Sequence, residues 1–370
     1  MTDVPGGDLF GGAYRGRRVF VTGHTGFKGS WLTYWLHELG AEVTGYALEP
    51  PTDPSLFAEL RLAERLDHHI GDVRDLSTLR ERMVAARPEI VFHLAAQPLV
   101  RASYDEPALT FETNVMGSVN VLEAARGVGS VRAIVSVTCD KCYENREWEF
   151  AYRENDALGG WDPYSASKGA AEIVTAAYRR SFFADPAGAA VATGRAGNVI
   201  GGGDWALDRI VPDCIRALSA GEPVPVRNPD AIRPWQHVLE PISAYLWLAA
   251  RMHADGHAFE GPWNFGPISG GNLAVHQVVD RVIAEWGCGS WAGPEPGAHQ
   301  AHEARFLKLD CSKAVDVLDW RPALDVAEAL RQTTAWYLRR HNGEGAEELT
   351  AQCLAGYIAA ASRAHVAWTR

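Results

Sequence analysis

The sequence predicts an α/β fold: a doubly wound parallel sheet with a smaller mixed α/β C-terminal lobe. Three observations predict it. Short β-rich runs alternate with helical patterns through the first 200 or so residues. The first run ends in a glycine that leads straight into a helix. Beyond Gly201 the pattern changes, and proline, glycine and tryptophan become frequent in "GEPVPVRNPDAIRPWQHV" and "GPWNFGPISGG". A chain of 370 residues, 47% apolar and 22% charged, is long enough to bury such a core.

The elements follow in order. "RRVFVTG" (17–23) is a strand, and "FKGSWLTYWLHELG" (27–40) continues as a helix that Gly40 stops. "AEVTGYAL" completes a βαβ unit, and further strands are expected at "LDHHIGD", "EIVFHLAA", "VRAIVSVT" and "AAVATGRAGNVIG". Helical patterns between them include "DLSTLRERMVAA" and "NVMGSVNVLEAARG", and two long ones close the chain at 323–342 and 345–366. Residues 15–200 then form one domain and 201–370 mainly a second, with some crossing back of the chain. The first 15 residues read as a mobile leader.

Composition excludes several functions. A net charge of −11 argues against nucleic acid or an anionic membrane as the main partner, though not against a small anion held by a few arginines. No run of about 18 apolar residues suggests a membrane span, and nothing near the N-terminus reads as a signal peptide, so the chain reads as cytoplasmic. Cys139-x-x-Cys142 lacks a second ligand pair for zinc, so no metal is expected and the six cysteines read as buried small hydrophobes. Most of the 13 tryptophans read as core.

Gly23-His24-Thr25-Gly26-Phe27-Lys28-Gly29 lies between the first strand and the first helix. Glycines there allow a tight turn and bring backbone N–H groups to a pyrophosphate at the helix N-terminus, a Rossmann-type nucleotide site. Past the second strand stand Ala47 and Glu49 with no arginine beside them, which favours NAD over NADP. Asp72 and Val73 of "IGDVRD" are placed to border the adenine, and Asp75 reads as a helix cap.

Tyr164 and Lys168 of "DPYSASKGAAE" are four residues apart on a predicted helix and so share a face. An ammonium and a nicotinamide cation beside the phenol favour its ionised form, which suits a proton acceptor for an alcohol under oxidation.

The glycine loop, "HLAAQPLV", Thr138 with Tyr164-x-x-x-Lys168, and "GNVIG" resemble the extended short-chain dehydrogenase/reductase family. Within it, "GHTGFKGSWL", "DKCYENREW", "RAGNVIGGGDWALDRIVPD", "RNPDAIRPWQHVLEP" and "HEARFLKLDCSKA" are similar to the nucleotide-sugar 4,6-dehydratases, in the branch that takes CDP-glucose. The resemblance implies a lyase with bound NAD that oxidises C4 of the sugar, eliminates water across C5 and C6, and reduces C6. It implies Thr138, Tyr164 and Lys168 for the oxidation, Asp140 as acid toward O6 and Lys141 as base at C5. In the wider group a glutamate follows the aspartate, and Cys139 stands where serine or threonine is more usual.

It further implies cofactor contacts at Gly23, Thr25, Gly26, Phe27, Gly29, Asp72, Val73, Ala95 and Asn114 as well as Tyr164 and Lys168. Substrate contacts are implied at Gln97, Asn198, Arg209, Arg233 and His237, where guanidinium groups suit a diphosphate. A homodimer or homotetramer is implied through helices flanking the sheet. Another nucleotide-sugar dehydratase, an epimerase of the same family and a non-catalytic NAD-binding regulator stay open at this point.

Overall fold

A computed structural model describes residues 9–268, 270–294 and 306–370. The strands β1 (Arg18–Thr22), β2 (Glu42–Ala47), β3 (Asp67–Ile70), β4 (Ile90–His93), β5 (Ala133–Val137) and β6 (Ala190–Ala196) alternate with helices α1 (Phe27–Glu38), α2 (Leu56–Glu59), α3 (Leu76–Ala86), α4 (Val100–Asp105), α5 (Pro107–Phe111), α6 (Gly117–Arg126) and α7 (Pro163–Phe182). The chain continues through β7 (Asn198–Ile200), β8 (Val224–Pro225), β9 (Ile232–His237), β10 (Gly261–Phe265) and β11 (Asn272–Ala274).

One parallel sheet runs in the order β10-β6-β5-β4-β1-β2-β3. Every residue of β4 and β5 is buried, as expected of central parallel strands covered by helices on both faces. The strand order reverses between β1 and β4, and crevices at such a switch point open at the carboxyl ends of the strands. The last strand of the sheet comes from Gly261–Phe265, so the chain returns to the first lobe after leaving it.

"AAVATGRAGNVIG" reads as a single strand in the sequence, but the structure divides it at Gly197. Residues before it pair with β5 and β10, whereas β7 joins a three-stranded sheet, β11-β9-β7. A Cβ on residue 197 would stand 2.5 Å from Cγ of Pro234, so the second sheet can approach only a glycine here.

The predicted leader is also corrected in part. Residues 1–8 lie outside the described residues, but Phe10 and Tyr14 are buried. Phe10 stacks on Trp368 at 5.1 Å, Gly11 N donates to Arg370 O and Tyr14 Oη to Leu246 O. This segment seals the outer side of α1, which is buried without a break from Gly29 to Leu36 and so shows no amphipathic stripe. Trp31 of α1 donates to Gly202 O at 2.9 Å, tying the first helix to the start of the second lobe.

The two C-terminal helices occupy Val326–His341 and Ala346–Arg363. Among the described residues no helix is long and apolar enough to cross a membrane. Glu240 anchors the approach to these helices. Buried in the helix Leu239–Asp255, its carboxyl accepts from Ala323 N, Leu324 N and Tyr357 Oη.

Burial raises the pKa of Glu240 from 4.5 to about 7. The native state therefore holds this proton more tightly than the unfolded chain. The stabilisation is full below the unfolded pKa and is lost as pH rises toward 7. Denaturant titrations at pH 5 and pH 8 should show wild-type protein losing up to about 3 kcal/mol more than Glu240→Gln over that interval. Equal losses in the two proteins would rule out this titration.

Candidate active site

The site lies where the ends of β1, β4, β5 and β6 meet the first turns of α1 and α7. Gly23 has φ +76°, and a Cβ there would fall 2.5 Å from Ala95 N; a Cβ on Gly29 would fall 2.0 Å from Gly23 O. The backbone thus doubles back on itself beside the end of β4, with Gly26 as the N-cap of α1 and no side chain capping that helix. Its first-turn N–H groups have no carbonyl within the helix and can receive an anion. This cradle fits a pyrophosphate.

Around the cradle, Thr25 Oγ1 donates to Leu48 O, just past β2, and the Asp72 carboxylate accepts from Arg74 Nε and Nη2. The Arg74 hydrogen bonds hold the pKa of Asp72 below its usual value. Asp75 caps α3 through Ser77 N and Thr78 N, as the sequence suggests. Val73 is buried against Gly117 and faces the core under α6.

Asn114 and Gln97 stand together. Asn114 Oδ1 accepts from Gln97 N, and its Nδ2 donates to Gln97 O and to Ser167 Oγ of α7. The Gln97 side chain donates to Thr110 Oγ1 and accepts from Leu99 N. Asn114 therefore braces the loop after β4 against α7 and Gln97 ties it to α5, structural tasks that account for their hydrogen bonds.

Asp162 caps α7 through Ser165 N, and Pro163 occupies the first turn. This start sets the register of Tyr164 and Lys168, both buried, with Lys168 Nζ 5.9 Å from the Tyr164 ring centre. Tyr164 Oη donates to Cys139 Sγ at 3.5 Å. Among protein groups the expected lowering of the Tyr164 pKa is not obtained. Burial and then Cys139 push it well above 10, and Arg209 pulls the other way. Burial lowers the pKa of Lys168.

β5 delivers Thr138, Cys139 and Asp140 to the same place. Thr138, 3% exposed, donates through Oγ1 to Glu172 Oε1. Asp140 is buried, its Oδ2 has no hydrogen-bond partner, and burial raises its pKa against the pull of Lys141 and Arg233. Lys141 lines a cavity of about 360 Å³ together with Glu144, Trp161 and Ser165. Cys142 is fully buried with Tyr143, Tyr152 and Leu309, and burial drives its pKa well above 9. Among the described residues no cysteine is disulfide-bonded and no three metal-ligating side chains gather.

The predicted substrate residues divide. Arg209 precedes the helix Ile210–Ala220, donates to Asp204 Oδ2 at 3.1 Å, and its charge reaches Tyr164. Arg233, buried on β9, acts on Asp140. Asn198 opens β7 beside Trp235 of β9. His237 is the exception. It is 1% exposed, its Nδ1 accepts from Leu239 N, Nε2 lies 3.7 Å from Cys353 Sγ, and its ring meets Trp31 edge-on. Its contacts tie it to the packing between α1 and the C-terminal helices.

Two groups escaped the sequence reading. Lys28, inside the glycine loop, is brought close enough to Lys168, Arg209 and Asp140 to feel their charges, and burial with Lys168 lowers its pKa to about 8. The signal was a cation inside the glycine loop, at the second residue of α1. Glu172 is the second. It stands four residues after Lys168 and so continues the Tyr164-Lys168 face.

A parallel sheet with its glycine turn at the switch point and a buried Tyr-Lys pair beside a strand-end threonine define an enzyme of the extended short-chain dehydrogenase/reductase type. More narrowly, the chain belongs to the GDP-mannose 4,6 dehydratase family, whose family model matches residues 20–333. It is 50% identical over 356 residues to the CDP-glucose 4,6-dehydratase of Salmonella typhimurium, covering 95% of this chain and 98% of that one. A dTDP-glucose 4,6-dehydratase of Streptomyces griseus is 29% identical over 86% of this chain and 93% of its own. In fold the chain is similar to a dTDP-glucose 4,6-dehydratase from Streptomyces venezuelae solved with NAD, with a TM-score of 0.74 at 23% identity over 88% of this chain and 98% of that one.

Proposed function

We propose that the protein is an NAD-dependent CDP-glucose 4,6-dehydratase, converting CDP-glucose to CDP-4-keto-6-deoxyglucose and water. The observation that carries this reading is the buried Asp140, with an unpartnered carboxyl oxygen and a raised pKa, beside Lys141 at the mouth of a cavity. Oxidation of a sugar alcohol needs only Thr138, Tyr164 and Lys168; an added acid and base are what loss of O6 requires. The choice of CDP-glucose rests on the 50% identical relative. NAD is supported by the cradle at Gly23 and Gly29 and by the NAD in the Streptomyces structure.

Bound at the glycine turn, NAD would supply an acceptor for the C4 hydride and a source of the same hydride for C6, with no net change in its oxidation state. Tyr164 takes the proton of the 4-hydroxyl, with Lys168 beside it to offset the developing phenolate charge, and Thr138 supplies a hydrogen bond to the C4 oxygen as the ketone forms. The resulting 4-ketone acidifies the C5 hydrogen. Lys141 removes that proton, and Asp140, whose protonated form burial favours, gives its own to O6 so that water leaves. A proton then returns to C5. Arg209 and Arg233 are assigned to the diphosphate, and the cofactor contacts to Thr25, Phe27, Asp72 and Ala95 around the glycine turn.

We further infer a homodimer formed by the outer faces of α5–α7, where Phe111, Met116 and Ile173 are exposed, and a cytoplasmic location, in keeping with six unpaired thiols. Wild-type protein should sediment at twice the chain mass and Ile173→Glu at once; a wild-type monomer would refute the dimer.

Mass spectrometry of purified protein with NAD and, separately, CDP-, dTDP-, UDP- and GDP-glucose tests the activity. Loss of one water from CDP-glucose alone, without net NADH, is expected. Water lost from another nucleotide sugar would refute the nucleotide choice, and an isomer of unchanged mass would favour an epimerase. In the same assay Cys139→Ser and Cys142→Ala should keep most turnover, whereas Lys141→Met should lose about 100-fold or more. The reverse pattern would return the chemistry to the thiols.

A further inference from the structure

Glu172 is buried to 3% and sits on the face of α7 that carries Tyr164 and Lys168, yet no step of the dehydration uses it. Its two oxygens are fully engaged. Oε1 accepts from Thr138 Oγ1, while Oε2 accepts from Thr193 Oγ1 at 2.8 Å and from Arg195 Nη2 at 2.7 Å. Arg195, equally buried, donates through Nη1 to Tyr143 Oη at 2.8 Å and Glu154 O at 3.0 Å, and Tyr143 Oη donates to Asn264 Oδ1 at 2.7 Å. The carboxylate is thereby fixed by groups on β6 and by the segment after β5, and Asn264 of β10 closes the chain of bonds.

Burying an ion pair carries a desolvation cost that a packed apolar pair would not, so its presence here calls for a reason other than stability. The reason lies in the hydroxyl of Thr138, which has one proton and two lone pairs. When that proton goes to Glu172, the rotamer of Thr138 is set and its lone pairs are directed elsewhere.

We propose that Glu172 is a positioning residue for the oxidation step, acting through Thr138: it holds the Thr138 proton while the sugar oxygen is a hydroxyl and releases it to that oxygen as the ketone forms. The inference rests on the dehydratase reading above. No covalent bond changes at either residue. The Thr138 proton stays on Oγ1 and only changes acceptor, from the carboxylate to the carbonyl oxygen. Thr193 and Arg195 stay on Oε2 throughout and keep the charge paired, while Oε1 gives up its hydrogen bond from Thr138 as the ketone forms. This arrangement spares the alcohol state a competing donor at O4 and leaves the hydroxyl proton free to go to Tyr164. It then supplies a donor to O4 only when a carbonyl needs one.

A double-mutant cycle with the full-length protein, NAD and CDP-glucose tests it, using Glu172→Asp, Thr138→Val and both together. Aspartate keeps the charge beside Arg195 but is one methylene too short to hold Thr138. Glu172→Asp should lower kcat about 10-fold or more with KM changed less than about 2-fold, and should add less than about 2-fold to the loss in the Thr138→Val background. An equal factor in both backgrounds, or no loss in the single variant, would overturn the proposal. Thermal melts identify any variant that does not fold; should Glu172→Asp fail there, Glu172→Gln takes its place in the cycle. Turnover by the wild type separates the two levels of the argument. An active enzyme with an additive cycle removes Glu172 alone, and a wild type that dehydrates no nucleotide sugar removes the dehydratase reading and this inference together.

Discussion

Backbone must approach backbone where the sheet reverses its winding, and the rest of the molecule is arranged around that contact. The turn after β1 folds onto the end of β4 so closely that a methyl group at Gly23 or Gly29 would overlap main-chain atoms. The close turn fixes the first residues of α1, whose uninterrupted burial then demands cover on its outer side. The docked N-terminal segment and the C-terminal helices supply it through Phe10, Tyr357 and Trp368. Residues at both ends of the chain thus help to hold a loop whose shape is set by the absence of side chains.

The same closeness concentrates charge. Lys28 comes from the turn, Lys168 from α7, Arg209 from the helix that follows it in the second lobe, Arg233 from β9, and Asp140 from the end of β5. Burial disfavours the charged form of each ionisable group, so it raises Asp140 and lowers Lys28 and Lys168. For an elimination this has a direct value. A carboxyl whose protonated form is favoured by burial is better suited to serve as an acid, and cations gathered around it favour a sugar diphosphate over a neutral ligand.

The order of strands and helices was legible because each strand of the parallel sheet is a short buried run followed by a periodic helix, as at β1 and α1. Gly23, Tyr164 and Lys168 were legible because their spacing relative to those elements has a chemical meaning. What stayed hidden depended on contacts distant in sequence. The break at Gly197 follows from Pro234 pressing on it, and the seating of Phe10 from Trp368, some 360 residues away. His237 shares a face of β9 with Arg233, four residues before it, and its surroundings are set by α1 and the C-terminal helices, which lie far from it in sequence. Glu172 was a charge on a helix, indistinguishable from a solvated one until β6 placed Arg195 against it.

The Cys-x-x-Cys spacing has the same kind of explanation. Cys139 has extended backbone, and Asp140–Cys142 is a single turn of 3-10 helix that begins after it. Both thiols are buried: Cys139 lies against Tyr164, and Cys142 lies in the cluster with Tyr143 and Tyr152. Small apolar side chains are what such positions require, and a raised thiol pKa removes the thiolate on which redox or metal chemistry would depend. The two residues between them are aimed away from this anchor, Asp140 toward Arg233 and Lys28 and Lys141 into the cavity beside Trp161. The thiols therefore pack as small buried side chains on either side of Asp140 and Lys141, and no bond joins the sulfurs.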